Sequence, residues 1–233
     1  MGIKSWLTDF VSLIFPDVCE VCDSTLVHGE KMLCLHCMYD IPRTKLHKDS
    51  FSEIHKRLAG NIPINKAASF FYYYKENPYA RMIQKAKYNN RPRLAFDLAE
   101  MFAGEIQPDG FFNDIDTIIP VPIHWVKELK RGYNQSRKIA EGISSVTGIP
   151  VADNLIAARS HATQTRRSSF ERWLNTRSIF AVENPEELDH KHILIVDDVI
   201  TTGATLLRCA EAIHTAAPTA TISVATLAFT RPT

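Results

Sequence analysis

Residues 192–207 carry side chains suited to holding a phosphorylated sugar. An apolar run ends in the neighbouring carboxylates Asp197 and Asp198, and a threonine-rich segment then leads into a helical pattern. Open α/β sheets bind ligands at the carboxyl ends of their strands, and free N–H groups at a helix start can hold a phosphate monoester. The predicted phosphate-binding residues are Thr201, Thr202, Gly203, Ala204 and Thr205.

The two adjacent carboxylates suit the vicinal hydroxyls of a ribose, which they could bind directly or through a hydrated Mg²⁺ ion. Gly203 would allow the backbone to approach a ligand closely. The stretch has neither the G-x-x-x-x-G-K-[ST] pattern of a P-loop nor the G-x-G-x-x-G pattern of a dinucleotide site. A capped helix start after a strand is the structural alternative, but it does not explain the ordered run of strand, acidic pair, threonine-rich loop and helix.

Four of the five cysteines form two C-x-x-C pairs about a dozen residues apart, a spacing typical of tetrahedral zinc sites. The predicted ligands are Cys19, Cys22, Cys34 and Cys37. Two disulfides or two redox pairs are the alternatives, and His28 or His36 could replace one ligand. Four thiolates leave no open coordination position, so the ion would be structural and would supply folding energy to a small unit. Cys209 lies in an apolar helical pattern and is predicted to be a core residue.

The rest of the chain alternates apolar runs with helical patterns, which predicts an α/β fold with a mostly parallel sheet covered on both faces. The predicted strands are residues 67–74, 115–121, 149–157, one including Phe180, 192–196 and 221–229. The predicted helices are residues 80–88, 93–106, 134–147 and 204–217.

A polar stretch broken by glycine and proline, residues 42–63, predicts a boundary between two units. Residues 1–60 would hold an amphipathic helix, the four-cysteine unit and a linker, and residues 61–233 the α/β domain. The helical pattern of residues 3–14 indicates packing on its own domain, with partner docking or membrane-surface binding as the alternative. No segment approaches the roughly 18 apolar residues of a membrane span, and no signal peptide is recognised, so we expect a cytoplasmic protein.

The chain has 27 Lys and Arg against 26 Asp and Glu, and this net charge of +1 argues against a nucleic-acid binder that uses its whole surface. Local basic stretches remain at residues 81–93 and 159–177. The second contains five arginines and a single acid, Glu171. It suits a lid over an anionic leaving group, a binding surface for single-stranded DNA or an exposed linker.

The run from Val196 to Thr205 resembles the phosphoribosyl-pyrophosphate (PRPP) signature of type I phosphoribosyltransferases. Three further features occur in a fixed order: the Cys pairs, then Pro120-Val121-Pro122, then Arg131-Gly132-Tyr133-Asn134-Gln135. In that order the chain is similar to the ComF/ComFC/GntX family, which is linked with DNA uptake in natural transformation. Many members of that family carry Phe where Tyr133 stands, a change that keeps the aromatic ring.

The resemblance implies that Asp197 and Asp198 hold the ribose hydroxyls of PRPP and that residues 201–205 cradle its 5-phosphate. Residues 120–134 would form the pyrophosphate loop, with Lys130 and Arg131 as cationic candidates. Asp197, Asp198 and Arg131 are accordingly the predicted catalytic residues, acting with Mg²⁺. The alternative is a non-catalytic adaptor that retains a PRPP pocket and binds both single-stranded DNA and a partner, which would be a competence or recombination protein.

Overall fold

A computed structural model describes residues 16–60, 62–74, 77–88, 91–123, 129, 131–157 and 180–231. The predicted amphipathic helix at residues 3–14 and the arginine-rich stretch at residues 159–177 lie outside these ranges. Within them, no helix combines the length and the apolar character needed to cross a membrane.

Four parallel strands form the central sheet: β1 Ala67–Tyr73, β2 Thr117–Pro120, β5 His192–Ile200 and β6 Thr221–Thr230. Their spatial order is β1-β6-β5-β2. Runs of buried apolar residues along β5 and β6 match the composition expected of parallel strands that are covered on both faces. The predicted α/β fold with a parallel sheet is therefore confirmed.

The predicted strand at residues 149–157 is wrong as a single element. Val151 makes one isolated parallel bridge to Ile118 of β2, and the chain then leaves the central sheet. A separate strand, β3 (Leu155–Ala157), pairs antiparallel with β4 (Phe180–Val182). The side chain of Asn154 donates a hydrogen bond to the Glu183 carbonyl, which ties the chain to the β4 side at the point where it changes direction.

Helices pack on both faces of the sheet and bury two apolar clusters, one on each side of it. Their bounds are α1 Leu35–Tyr39, α2 Glu53–Arg57, α3 Ala80–Tyr88, α4 Pro92–Ile106, α5 Gln135–Thr147 and α6 Ala204–Ala216. Helices α4 and α5 approach closely at Gly142, where an added Cβ would lie 2.4 Å from the Phe96 carbonyl oxygen. This contact fixes α5, whose first residues reach the carboxyl end of β5.

Residues 41–58 pack against the α/β sheet. Thr44 N–H donates to the Phe70 carbonyl and Tyr72 N–H donates to the Pro42 carbonyl, so this segment covers the outer edge of β1. From α2 and the residue after it, Ile54 and Leu58 are fully buried in the cluster shared with β5 and α6. The proposed division into two domains at residue 60 stays a prediction.

Strand β5 is longer than the predicted strand at residues 192–196, because its pairing with β6 continues to Ile200 opposite Phe229. Asp197 and Asp198 therefore lie within the strand, near its carboxyl end. Position on a strand restrains both carboxylates more than a loop would, and residues 201–203 turn directly into α6.

Candidate functional site: a four-cysteine cluster and an acidic pair

The four predicted metal ligands come together in space. The sulfurs of Cys19, Cys22, Cys34 and Cys37 all lie within 4.8 Å of one another. The Cys22 and Cys34 sulfurs are 3.7 Å apart, close to the spacing of about 3.8 Å that a tetrahedral ion with Zn–S bonds of about 2.3 Å requires. Each of these cysteines is a free thiol rather than half of a disulfide. The donor set fits one tetrahedral metal ion.

Local hydrogen bonds aim the two cysteine pairs at one point. In the first pair, Cys19 N–H donates to the Ser24 carbonyl at 2.8 Å, and Asp23 adopts a left-handed conformation with φ of 60°, which closes a tight turn. In the second pair, Cys34 is the N-cap of α1, and its sulfur accepts a hydrogen bond from Cys37 N–H at 3.5 Å. N–H donation to sulfur favours the thiolate form that a metal needs.

The thiols differ in their acidity because they differ in environment. Hydrogen bonding to Ser24 lowers the pKa of Cys22 to about 6. Burial raises the pKa of Cys37. A buried thiolate is stable only beside a compensating cation, so the cluster is suited to a bound ion rather than to four free thiols.

The two carboxylates of β5 have separate partners. Asp197 Oδ1 accepts from the Ser136 hydroxyl at 2.9 Å and from Asp198 N–H at 2.8 Å. Asp198 Oδ2 lies 2.9 Å from Lys87 Nζ, and the side chains of this ion pair are only 13% and 24% exposed, respectively. The pair is thus held by the first turn of α5 on one carboxylate and by the last turn of α3 on the other.

Burial raises the pKa of Asp197 to about 7, and the negative charge of Asp198 adds to this rise. The hydrogen bonds from Asp198 N–H and Ser136 and the charge of Lys87 act in the opposite direction. A carboxyl whose pKa is raised by burial beside a second charge is a common feature of ligand sites. Near neutral pH, the Asp197 carboxyl can therefore gain or lose a proton.

The predicted phosphate loop leads into a helix whose N-cap residue has no side chain. Gly203 is the N-cap of α6, with φ of 81°, and cannot itself accept from the N–H groups of the first turn. The neighbouring Thr202 hydroxyl accepts from Ala204 N–H at 3.4 Å. A Cβ at this position would lie 2.6 Å from Leu58 Cδ2. Within the protein, the residue after α2 therefore approaches Gly203 closely. The predicted close approach of a ligand to this glycine stays a prediction. Four neighbours are exposed: Thr201, Thr202, Ala204 and Thr205.

Arg57 of α2 fixes the base of this loop, which the sequence did not predict. Its guanidinium donates to the Thr201 carbonyl at 2.8 Å and also bonds the Thr230 carbonyl at the end of β6. The same group lies 4.0 Å from the ring centroid of Phe229. Burial lowers the pKa of Arg57. Three chain segments therefore meet where the loop begins.

The predicted pyrophosphate loop is described at its two ends. Asn134 caps α5, because its Oδ1 accepts from Ser136 N–H at 3.0 Å, and its Nδ2 donates to the Val121 carbonyl at 3.1 Å. Gly132 has a φ of 78°, and the Tyr133 hydroxyl donates to the Ala86 carbonyl. Lys127 and Lys130 lie outside the described residues.

Arg131 stands at the end of this loop, two residues before Tyr133. Burial raises the pKa of the Tyr133 hydroxyl, and the positive charge of Arg131 opposes that rise. Further along the chain, Asn134 accepts a hydrogen bond from Ser136 N–H, and the Ser136 hydroxyl donates to Asp197. The predicted catalytic arginine is therefore in the same chain segment as a partner of the acidic pair.

The basic stretch at residues 81–93 is largely neutralised by acids of the same chain. Lys85 and Arg91 pair with Glu20, and Arg93 pairs with Asp97. Lys87 pairs with Asp198. The sequence had marked Lys87 only as part of a basic stretch, and Ser136 and Arg57 carried no signal, because their partners are remote along the chain.

Comparison with known proteins gives a family match and several relatives. Residues 84–232 match the family model described as the phosphoribosyl transferase domain. Competence protein F of Haemophilus influenzae is 29% identical over 134 residues, which are 55% of this chain and 58% of that protein. DNA utilization protein YhgH of Escherichia coli O157:H7 is 27% identical, covering 83% of this chain and 82% of the relative. Competence protein ComFC of Bacillus subtilis is 28% identical over 56% of this chain and 50% of its own length.

Proposed function

Because the chain belongs to the phosphoribosyl transferase domain family, we propose that it binds PRPP with Mg²⁺ at the carboxyl end of β5 and transfers the phosphoribosyl group to an acceptor. One observation carries the proposal: an acidic pair lies near the carboxyl end of β5, and this strand is followed by an exposed threonine-rich loop and a helix capped by glycine. A sugar that bears both hydroxyls and a phosphate matches these two groups of partners.

Each part of the ligand has an assigned partner in the chain. Asp197 and Asp198 accept hydrogen bonds from the ribose hydroxyls, and the N–H groups and hydroxyls of residues 201–205 hold the 5-phosphate. Arg131 lies on the pyrophosphate side, where a cation stabilises the negative charge that develops on the leaving group. Mg²⁺, when bound with PRPP, would supply additional charge stabilisation to the same leaving group.

A structural zinc ion is the proposed occupant of the four-cysteine cluster. Four sulfur donors at tetrahedral spacing leave no coordination position for a substrate, which supports a structural rather than a catalytic ion. The zinc ion would hold together a unit that contributes few large apolar side chains of its own.

The relatives are two competence proteins and a DNA utilization protein, which supports the predicted place in DNA uptake or a place in DNA utilization. They also favour the second candidate function, an adaptor in the cytoplasm that keeps the PRPP pocket and binds single-stranded DNA or a competence protein. The arginine-rich residues 159–177 would then contact DNA phosphates. DNA affinity should fall steeply with salt and should fall further when Arg166 and Arg167 are changed to Ala.

Titration calorimetry of the full chain with PRPP and Mg²⁺ tests the main proposal. The parent protein should release or absorb heat with a 1:1 stoichiometry, and Asp198→Asn should weaken binding at least about tenfold, because a charged partner of the sugar is removed. Asp116→Asn is the matched control, since Asp116 accepts a hydrogen bond from His192 N–H at the opposite end of β5. Absence of binding by the parent protein would overturn the proposal.

A further inference from the structure

Helix α3 contacts both the four-cysteine cluster and the acidic pair. Before its first residue, the Tyr79 hydroxyl donates to the Cys37 carbonyl at 2.8 Å. In its last turns, Lys85 Nζ lies 3.0 Å from Glu20 Oε2, and Lys87 Nζ lies 2.9 Å from Asp198 Oδ2. One short helix therefore spans the distance between two sites that the sequence treats as separate.

Glu20, which lies inside the first C-x-x-C pair, is the main anchor of this helix to the cysteine unit. Its side chain is only 11% exposed and accepts from both Lys85 and Arg91. Lys85 also donates to the Glu20 backbone carbonyl at 3.1 Å. Glu20 is itself fixed, because its N–H donates to the Met32 carbonyl at 2.9 Å. The cysteine unit thus holds the end of α3 through Lys85 and holds Arg91, the residue just before α4.

The spacing of the two lysines makes α3 a bridge. Residues two apart on an α-helix point to different sides of it, so Lys85 and Lys87 can reach opposite neighbours. A helix of nine residues is marginal without packing, and its position depends on its partners. The Tyr133 hydroxyl donates to the Ala86 carbonyl, and the apolar face of the helix is buried in the core through Met82, Ile83 and Ala86. Glu20 instead holds the lysine-bearing last turns, so loosening its contact should shift the end of α3 that carries Lys87.

We propose that Glu20 is a positioning residue for Asp198: it holds α3 so that Lys87 fixes Oδ2 of the carboxylate and leaves Oδ1 for the ligand. This inference rests on the proposed function insofar as the ligand is PRPP. It makes the cysteine unit part of the ligand site rather than an independent module. Because the Lys87–Asp198 pair is largely shielded from water, salt screens it much less than it screens a surface ion pair.

The test is a double-mutant cycle with PRPP and Mg²⁺ as the ligand, measured by calorimetry on the full chain. Glu20→Gln removes the charge that holds Lys85 and Arg91, and it should raise the PRPP dissociation constant about tenfold, within the usual range of coupling between sites. Lys87→Met should raise it at least as much. The double variant should bind like Lys87→Met alone, because Glu20 acts through Lys87.

Lys31→Met is the matched control. Lys31 pairs with Glu100 of α4 at 3.6 Å, so it also joins the cysteine unit to the α/β domain, but its partner belongs to α4 rather than to α3. Its PRPP affinity should equal that of the parent. The zinc content of Glu20→Gln should stay near one ion per chain. If this variant loses metal or unfolds, Lys85→Met breaks the same link from the α3 side.

Unchanged PRPP affinity in a folded Glu20→Gln, or effects that multiply in the double variant, would overturn the positioning role. Failure of the parent to bind PRPP would instead overturn the proposed function. In that case amide hydrogen exchange still tests the link: Glu20→Gln, but not Lys31→Met, should speed exchange in residues 80–88. Equal exchange there in both variants would overturn the inference without any ligand.

Discussion

The four-cysteine cluster and the acidic pair are both built around charged groups, but the chain assembles them in opposite ways. The cluster comes from one short stretch, residues 19–37, and its turns are closed by neighbours in sequence. The acidic pair draws its partners from α3 and α5, and the adjoining loop is fixed by α2. A local spacing can specify a metal site by itself, whereas a ligand site at a sheet edge exists only after the fold has formed.

Metal removal should separate the two regions most strongly. Binding of structural zinc supplies on the order of 10 kcal/mol to small metal units, so a chelator should abolish protection in residues 16–40. The central sheet has its own buried core and should keep slow amide exchange. Hydrogen exchange before and after chelation, with metal analysis near one ion per chain, checks this. Protection in residues 16–40 that survives metal loss would contradict a structural ion.

The acidic pair should give the folded protein a pH dependence of its own, separate from that of metal binding by the thiolates. Burial raises the pKa of Asp197 to about 7 from the usual 3.8 of an aspartate, so between those pH values the carboxyl holds a proton in the folded state but loses it in the unfolded chain. The folded protein is therefore stabilised at low pH, and this contribution is lost as pH rises to about 7.

Asp197→Asn cannot ionise and should not show that loss. Relative to the parent, the variant should gain unfolding free energy as pH rises from 5 to 8, by up to about 3 kcal/mol, because about two pH units of this range lie below the folded pKa. Asn can still accept hydrogen bonds from Ser136 and from Asp198 N–H. Urea unfolding at several pH values measures the difference between the two proteins. A difference that is constant with pH would contradict the raised pKa.

Gly203→Ala should damage the ligand loop and spare the cysteine cluster. The left-handed φ disfavours a side chain by about 1–2 kcal/mol, and the new Cβ would press on Leu58. We expect a loss of about 2 kcal/mol in stability, together with weaker PRPP binding and unchanged zinc content. Thermal unfolding and calorimetry check both. Gly148→Ala is the control, since it also has positive φ but open space around it. Equal PRPP affinity in the two variants would contradict a role for the loop.

The fifth cysteine gives the smallest expected effect. Cys209 is fully buried in α6 among apolar residues, so Cys209→Ala should lower stability by about 1 kcal/mol through lost packing. Zinc content should not change, in contrast to Cys19→Ser, which should lose the ion. Metal analysis of both variants sharpens the distinction between four ligands and one core residue. Metal loss in Cys209→Ala would contradict it.

Sequence alone predicted the parts of each region that depend on local pattern. The clustering of the four cysteines, a strand that begins at His192, and helix α6 after Gly203 all follow from spacing and periodicity, and the resemblance to the ComF/ComFC/GntX family is confirmed by the relatives. The metal-binding, phosphate-binding and catalytic roles of these residues stay predictions.

What sequence could not predict are contacts between remote segments. Lys87 meets Asp198 only because α3 packs near the end of β5, and Arg57 reaches Thr201 because α2 lies under the same edge. The break in the predicted strand at residues 149–157 has a similar origin, since pairing with β4 draws Leu155 away from the central sheet. Periodicity identifies an element, but the partner of that element is a property of the whole fold.

The most direct test of the central claim is a crystal structure of the full chain with PRPP and Mg²⁺. We predict that the 5-phosphate binds the N–H groups and hydroxyls of residues 201–205 and that the ribose hydroxyls bind Asp197 and Asp198. Lys87 should still pair with Asp198. PRPP bound elsewhere, or an empty β5 edge in crystals at saturating ligand, would contradict it.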